Sequence, residues 1–255
     1  MGIITTTPKL DLSIGILSWH STTTLRNTLE SYKKNGLLDL TDDITIFFQE
    51  TVEEDFVIAN DYGIKVLASV YNMGIGRANL ELAKRAKYRD LLLLEHDWEL
   101  VEDKETTYRR LLQGLSWLGN NIHFVRYRHR KQPGYPLFTQ PVYQGNELEH
   151  YDPEIGLKAP HLLDCIHWIE KPEEMFPDKI YKWKDWYGSK SRWGNWTNNP
   201  GMFRTNFYIE TVKDFVGDGI QLEGNISKWW ARQDFNVVHG EGLFKHNDIG
   251  KYGNR

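Results

Sequence analysis

The chain has 255 residues, of which 40% are apolar and 26% charged, with a formal net charge of -4 and a pI near 6.1. These values exclude a disordered or fibrous class and leave no broad basic footprint, so neither nucleic acid nor an anionic membrane is an expected partner. Mean hydropathy is -0.57 and the longest aliphatic run is residues 91–94, far short of the roughly 20 residues that cross a bilayer, so no membrane span is expected.

The lone cysteine, Cys165, forbids an internal disulfide and fits a reducing, cytoplasmic setting. The length suits one large core, and the whole chain, 1–255, is expected to form a single α/β domain.

Residues 12–19 form a short apolar run that predicts a first strand. The Ser21-Thr-Thr-Thr segment then caps a helix with an apolar face of Leu25, Leu29 and Tyr32, which Asn35-Gly36 stops. Residues 44–48 predict a second buried strand, and the alternation of Ile64, Val66, Ala68 and Val70 a third. A glycine-containing turn at Asn72-Met-Gly-Ile-Gly leads into a helix over about 77–86, and Leu91 to Leu94 make a fourth strand, apolar on both faces.

Strand and helix alternating in this way predict a mainly parallel sheet with helices on both sides, whose ligands bind beyond the carboxyl ends of the strands. Those ends are Trp19/His20, Gln49/Glu50, Tyr71/Asn72 and Glu95/Asp97, so polar residues gather where a ligand should sit.

Beyond residue 100 a helix over 105–118 and a strand over 122–128 precede a loop-rich stretch with Pro133, Pro136, Pro141, Pro153 and Pro160. A turn at Asn199-Pro-Gly leads into a short strand, followed by helices over 205–215 and 227–235 and a strand over 236–239. This half has no regular sheet of its own in the pattern and reads as completing the first. It also holds seven of the ten tryptophans, and Trp183, Trp186, Trp193 and Trp196 alternate with charged residues in a mixture suited to stacking on sugar faces.

Glu95-His96-Asp97 is the sharpest local signal. Two carboxylates at i and i+2 just past a buried strand are costly without a partner, and Mg²⁺ or Mn²⁺ would supply one while bridging to substrate phosphates. The alternative at this point is a solvated acidic loop. A Gly-x-Gly-x-x-Gly turn directly after the first strand is missing, which excludes a nicotinamide-binding Rossmann protein.

The order Asn72-Met-Gly-Ile-Gly-Arg-Ala-Asn79, a helix, then Leu91-Leu-Leu-Leu-Glu-His-Asp97 resembles the family 2 glycosyltransferases of GT-A fold. Further along, Asn199-Pro-Gly-Met-Phe-Arg, Gln221-Leu-Glu223 and the run ending Leu-Phe-Lys-His246 resemble that family's acceptor-side half, so the likeness spans about residues 10–248. It implies a Rossmann-like fold with a nucleotide-sugar half over about 10–100 and an acceptor half over about 101–255.

The resemblance further implies that Ser18, His20, Glu50, Asn72, Arg77 and Glu95 meet the donor nucleotide, that Asp97 and His246 hold Mn²⁺ or Mg²⁺, and that Glu223 is the general base. Asp185, Asp214 and Asp218 compete for that last role. Trp186 and Trp196 are the expected acceptor contacts. The expected activity is inverting transfer of a sugar from a UDP- or GDP-linked donor to a glycan hydroxyl. The departures, Glu-x-Asp in place of Asp-x-Asp and Gly224 after Glu223, leave a lectin-like or inactive protein as the alternative. Asn72 and Asn79 as turn residues, Arg77 as a surface residue and Glu223 as a helix N-terminal acid are the plain structural alternatives.

Overall fold

The computed structural model describes residues 8–130, 171–194, 196–217 and 222–247. Cys165, Trp168, Asp218 and the proline-rich stretch after residue 130 lie outside the described residues.

The first four strands stand where the hydrophobic runs put them: β1 (Ser13–Trp19), β2 (Asp43–Gln49), β3 (Lys65–Ser69) and β4 (Asp90–Glu95). They alternate with α1 (Thr22–Lys34), α2 (Glu53–Asp61) and α3 (Gly74–Arg85). Ser21 stands at the N-cap of α1 but makes no side-chain cap bond.

The continuous apolar run of β4 is explained by its neighbours. Leu92 and Leu94 join a core shared with Leu25, Leu29 and Leu111, while Leu91 and Leu93 join a second core with Leu80, Tyr208 and Trp230. A strand buried on both faces has no polar side to show.

The chain continues through β5 (Trp98–Leu100), α4 (Lys104–Trp117), β6 (Phe124–Arg128), α5 (Pro172–Met175), β7 (Ile180–Trp183) and β8 (Trp186–Lys190). It ends with β9 (Gly201–Arg204), α6 (Thr205–Val212), α7 (Leu222–Trp230) and β10 (Asn236–His246).

Among the described residues all strands belong to one sheet, ordered β3-β2-β1-β4-β9-β6-β10-β8-β7, with β5 paired to β10. The first four strands are mutually parallel, and antiparallel β9 joins β4 to β6. The strands of the later half extend the sheet of the first, so the mixed, flanked α/β architecture expected from the sequence is present.

Sequence reading placed the last long helix at 227–235, whereas α7 occupies Leu222–Trp230. Gly224 lowers helix propensity there, but Leu222, Ile226 and Trp230 at i, i+4 and i+8 are all buried, and that packing decides. The β7–β8 hairpin and β5 were not expected, because their tryptophans and lysines mask a strand alternation.

Strand β10 is irregular. Its pairing with β6 shifts between His239 and Phe244, and in that bulge Gly242 has φ +84 with no room for a Cβ, which would lie 2.1 Å from the Arg128 carbonyl oxygen. Past the bulge, Phe244, Lys245 and His246 pair antiparallel with Leu100, Glu99 and Trp98. His246 is thereby brought beside Asp97, just past the end of β4.

Candidate active site

A cleft of about 460 Å³ opens at the carboxyl ends of β1, β2 and β4, lined by Leu17, Trp19, Gln49, Asn72, Gly74, Ile75, Glu95 and His96. That volume lies within the range of small-ligand sites. Its floor follows from strand alternation: Leu17 and Trp19 face the cleft, and Ser18 between them is turned away and buried. Ser18 therefore lines no part of it, contrary to the expectation of donor contact.

At the first two strand ends the backbone takes the left-handed conformation at two non-glycine residues, His20 (φ 45) and Glu50 (φ 50). Such residues persist only where their surroundings hold them, and they gather at functional sites. Here Glu50 Oε2 accepts from the Trp19 indole N–H at 2.6 Å and lies 2.9 Å from His20 Nε2. The indole bond, opposed by slight desolvation and aided by His20, holds the Glu50 carboxyl below its ordinary range.

The glycine turn after β3 is tied to β2. Asn72 Oδ1 accepts from the Gly74 N–H at 2.8 Å and Gln49 Oε1 from the Met73 N–H at 2.9 Å. The first of these starts α3 three residues earlier than the sequence suggested. Asn72 thus acts as a turn residue and also lines the cleft. Arg77 is exposed on α3, outside the lining, and its guanidinium donates to the Gly217 carbonyl.

Next to the lining residue His96, but outside the lining itself, stand the residues expected to hold a metal. Asp97 Oδ2 is 3.0 Å from His246 Nε2, although 149 positions separate them, and Asp97 Oδ1 is buried without a hydrogen-bond partner. The His246 ring packs edge-on against Trp98 at 4.9 Å, and the Arg128 guanidinium lies 5.4 Å from the centre of the same indole. Burial acts to raise the Asp97 carboxyl, but the His246 bond and the neighbouring imidazole charges outweigh it and hold Asp97 below its ordinary value.

Burial pushes Glu95 up to about 8, with the Asp97 and Glu223 charges acting the same way and His246 opposing. Glu223 thus belongs to the same electrostatic cluster, on the first turn of α7, where its Oε1 accepts from the Asn198 N–H at 2.6 Å. His96 lines the cleft, and burial lowers its imidazole.

These residues fit a divalent cation: an orphaned carboxylate oxygen and an imidazole are suitable ligands, and a second carboxylate lies close by. Among the described residues no group of three His, Cys, Asp or Glu is arranged as a ready ligand set.

The acceptor expectations need correction. Trp196 is 1% exposed, stacked on Phe203 and edge-on to Trp230, so it has no face open to a sugar. Trp186 is 4% exposed and edge-on to Trp117 and Tyr127. Both serve the core because large aromatic side chains carry most of the burial in this tryptophan-rich half. Of the competing bases, Asp214 is exposed outside the cleft lining, and Asp185 lines a different cavity.

Sequence reading noted Trp19 and Gln49 only as strand ends. The only signal in the sequence was an indole closing an apolar strand at the ligand-binding edge; the structure leaves that indole 44% exposed.

No family model matches the sequence and no curated protein matches it. Among solved structures, S. aureus TarS 1–349 superimposes with a TM-score of 0.52 at 13% identity, covering 92% of this chain and 60% of that one. Glucosyl-3-phosphoglycerate synthase from Mycobacterium tuberculosis, in complex with Mn²⁺, UDP and glucosyl-3-phosphoglycerate, gives 0.46 at 12% identity over 92% and 71%. A cytidylyltransferase from Leptospira borgpetersenii gives 0.37 at 18% identity over 46% and 54%. The chain spans about 60% of the TarS length it matches. With its parallel β3-β2-β1-β4 half extended through an antiparallel strand, and the cleft at the carboxyl edge, the protein has the GT-A fold.

Proposed function

We propose that this protein is a metal-dependent glycosyltransferase that moves a sugar from a nucleoside diphosphate donor to a hydroxyl of a glycan acceptor, with inversion. The observation that carries this reading is the Asp97–His246 pair at 3.0 Å, with a buried, unpartnered Asp97 oxygen beside a ligand-sized cleft.

Asp97 and His246 would hold Mn²⁺ or Mg²⁺, with Glu95 beside them. When bound, the cation stabilises the charge of the departing diphosphate. The chain's own residues do the rest. Trp19, His20, Glu50 and Asn72 receive the nucleoside at the strand ends. Glu223 accepts the proton of the acceptor hydroxyl, whose oxygen attacks the anomeric carbon as the bond to the diphosphate breaks. With Glu95 beside the cation site and Glu223 as the base, direct displacement is the simpler course. Arg77 completes the donor side if the Gly217 contact yields to a phosphate.

The pattern at Glu50 favours uracil as the base. The Trp19 N–H and, in its Nε2–H form, His20 are spent on one Glu50 oxygen, Oε2, which leaves Oε1 to accept the single N–H that uracil presents between its two carbonyls. The lone cysteine supports a cytoplasmic setting.

The test is calorimetric titration of UDP with MnCl₂ and with EDTA, on the wild type and Asp97→Ala, alongside donor hydrolysis. UDP binding that needs Mn²⁺ and is lost in Asp97→Ala is expected. Equal binding in EDTA, or an unaffected variant, overturns the reading.

A further inference from the structure

A second cavity of about 480 Å³ shares no lining residue with the donor cleft. Its walls are Glu102 just before α4, Arg109 and Arg110 in the middle of that helix, Asp185 and Trp186 at the β7–β8 turn, and Glu241 in the β10 bulge.

Some of these charges are engaged internally. Glu102 Oε1 lies 3.2 Å from Arg110 Nη1 and 2.8 Å from His129 Nε2, and Arg110 also donates to the Gly242 carbonyl. This network fixes the inner wall. The Trp186 wall is equally rigid, since a Cβ on Gly240 would lie 2.3 Å from the indole. By contrast Arg109, Asp185 and Glu241 make no side-chain hydrogen bond or ion pair among the described residues.

The lining selects a class of ligand. An anion would face three carboxylates, and a cation two guanidinium groups. An apolar ligand would strip water from charged groups and return no hydrogen bonds. Guanidinium groups only donate and carboxylates only accept, whereas a hydroxyl does both, so a neutral polyol satisfies every wall at once. Vicinal hydroxyl pairs also match the two-pronged geometry of both charged groups.

We propose that this cavity is a carbohydrate-binding subsite, separate from the point of transfer, that holds a neutral glycan through Arg109, Asp185 and Glu241. The proposal rests on the transferase reading only in naming the glycan as an extended part of the acceptor.

The experiment applies the full chain to an array of neutral and anionic oligosaccharides, with Asp185→Ala and Arg109→Ala beside the wild type, and measures Mn²⁺-dependent UDP binding on the same preparations. Both substituted residues are exposed, so the fold should survive. The expected result is retention of neutral glycans by the wild type, at least tenfold weaker retention by each variant, and unchanged UDP binding. An empty array, retention of anionic glycans alone, or variants that bind like the wild type overturns the proposal. UDP binding without glycan binding removes this subsite and leaves the transferase reading standing, and glycan binding without UDP binding does the reverse.

Discussion

Replacing Glu50 with Gln tests the nucleobase reading most directly, because it keeps the size of the side chain and reverses part of its hydrogen-bonding character. In the structure one carboxylate oxygen, Oε2, serves both the Trp19 N–H at 2.6 Å and His20 Nε2 at 2.9 Å, so on the proposed reading the nucleobase N–H donates to the other, Oε1. Hydrogen bonds to a charged group are worth about 1.5–3 kcal/mol net. The Glu50 side chain is 39% exposed, so the lower end applies, and about 1.4 kcal/mol corresponds to roughly tenfold in affinity. UDP affinity in the presence of Mn²⁺ should therefore fall roughly tenfold in Glu50→Gln, measured by calorimetry, with UDP preferred over GDP and CDP by the wild type. Thermal unfolding should change little, since the glutamine carbonyl can still accept from the Trp19 indole at the cleft rim. An affinity within twofold of wild type, or a wild type that prefers GDP, refutes the complementarity argument.

Glu223→Gln should reduce kcat at least a hundredfold with little change in UDP affinity, because the amide cannot accept the acceptor's proton; steady-state kinetics beside UDP titration separates the two. Trp196→Ala should destabilise the fold by about 3–5 kcal/mol in urea unfolding, because it removes a ring that contacts Phe124, Phe203, Tyr208 and Trp230. Asp43→Asn should cost about 2–3 kcal/mol at pH 7 by weakening charge-assisted bonds from Ser13, Lys65 and the Lys87 N–H. Burial acts to raise the Asp43 carboxyl, but those bonds outweigh it and hold its pKa below the ordinary value. The stabilisation is thus complete above the unfolded carboxylate pKa of about 4 and is lost as pH falls through the folded value. The stability gap between wild type and variant should narrow on acidification, and a constant gap would count against this assignment.

The first half of the fold was legible because its strands are buried on both faces and its helices are amphipathic, so period and length agree. Leu91 to Leu94 could hardly be anything else. The second half was harder to read because packing there overrides local pattern: α7 runs through Gly224, and β8 begins at a tryptophan that looks like a ligand contact. Asp97 and His246 were readable as a pair through the family likeness. Their contact depends on the β10 bulge, which no local sequence signal announces except a glycine forced to φ +84. Trp196 shows the converse failure, since composition alone cannot tell a sugar platform from a core ring.

The pairing of β5 with the last residues of β10 has a consequence for the order in which competence arises. Among the described residues the cleft is lined by positions no later than His96, whereas Asp97 meets its partner His246 only 149 positions further on. During synthesis the cleft lining therefore emerges well before the residue that pairs with Asp97. On the proposed reading, a growing chain would complete the walls of the cleft before it could hold the cation, and activity would wait until β10 has docked.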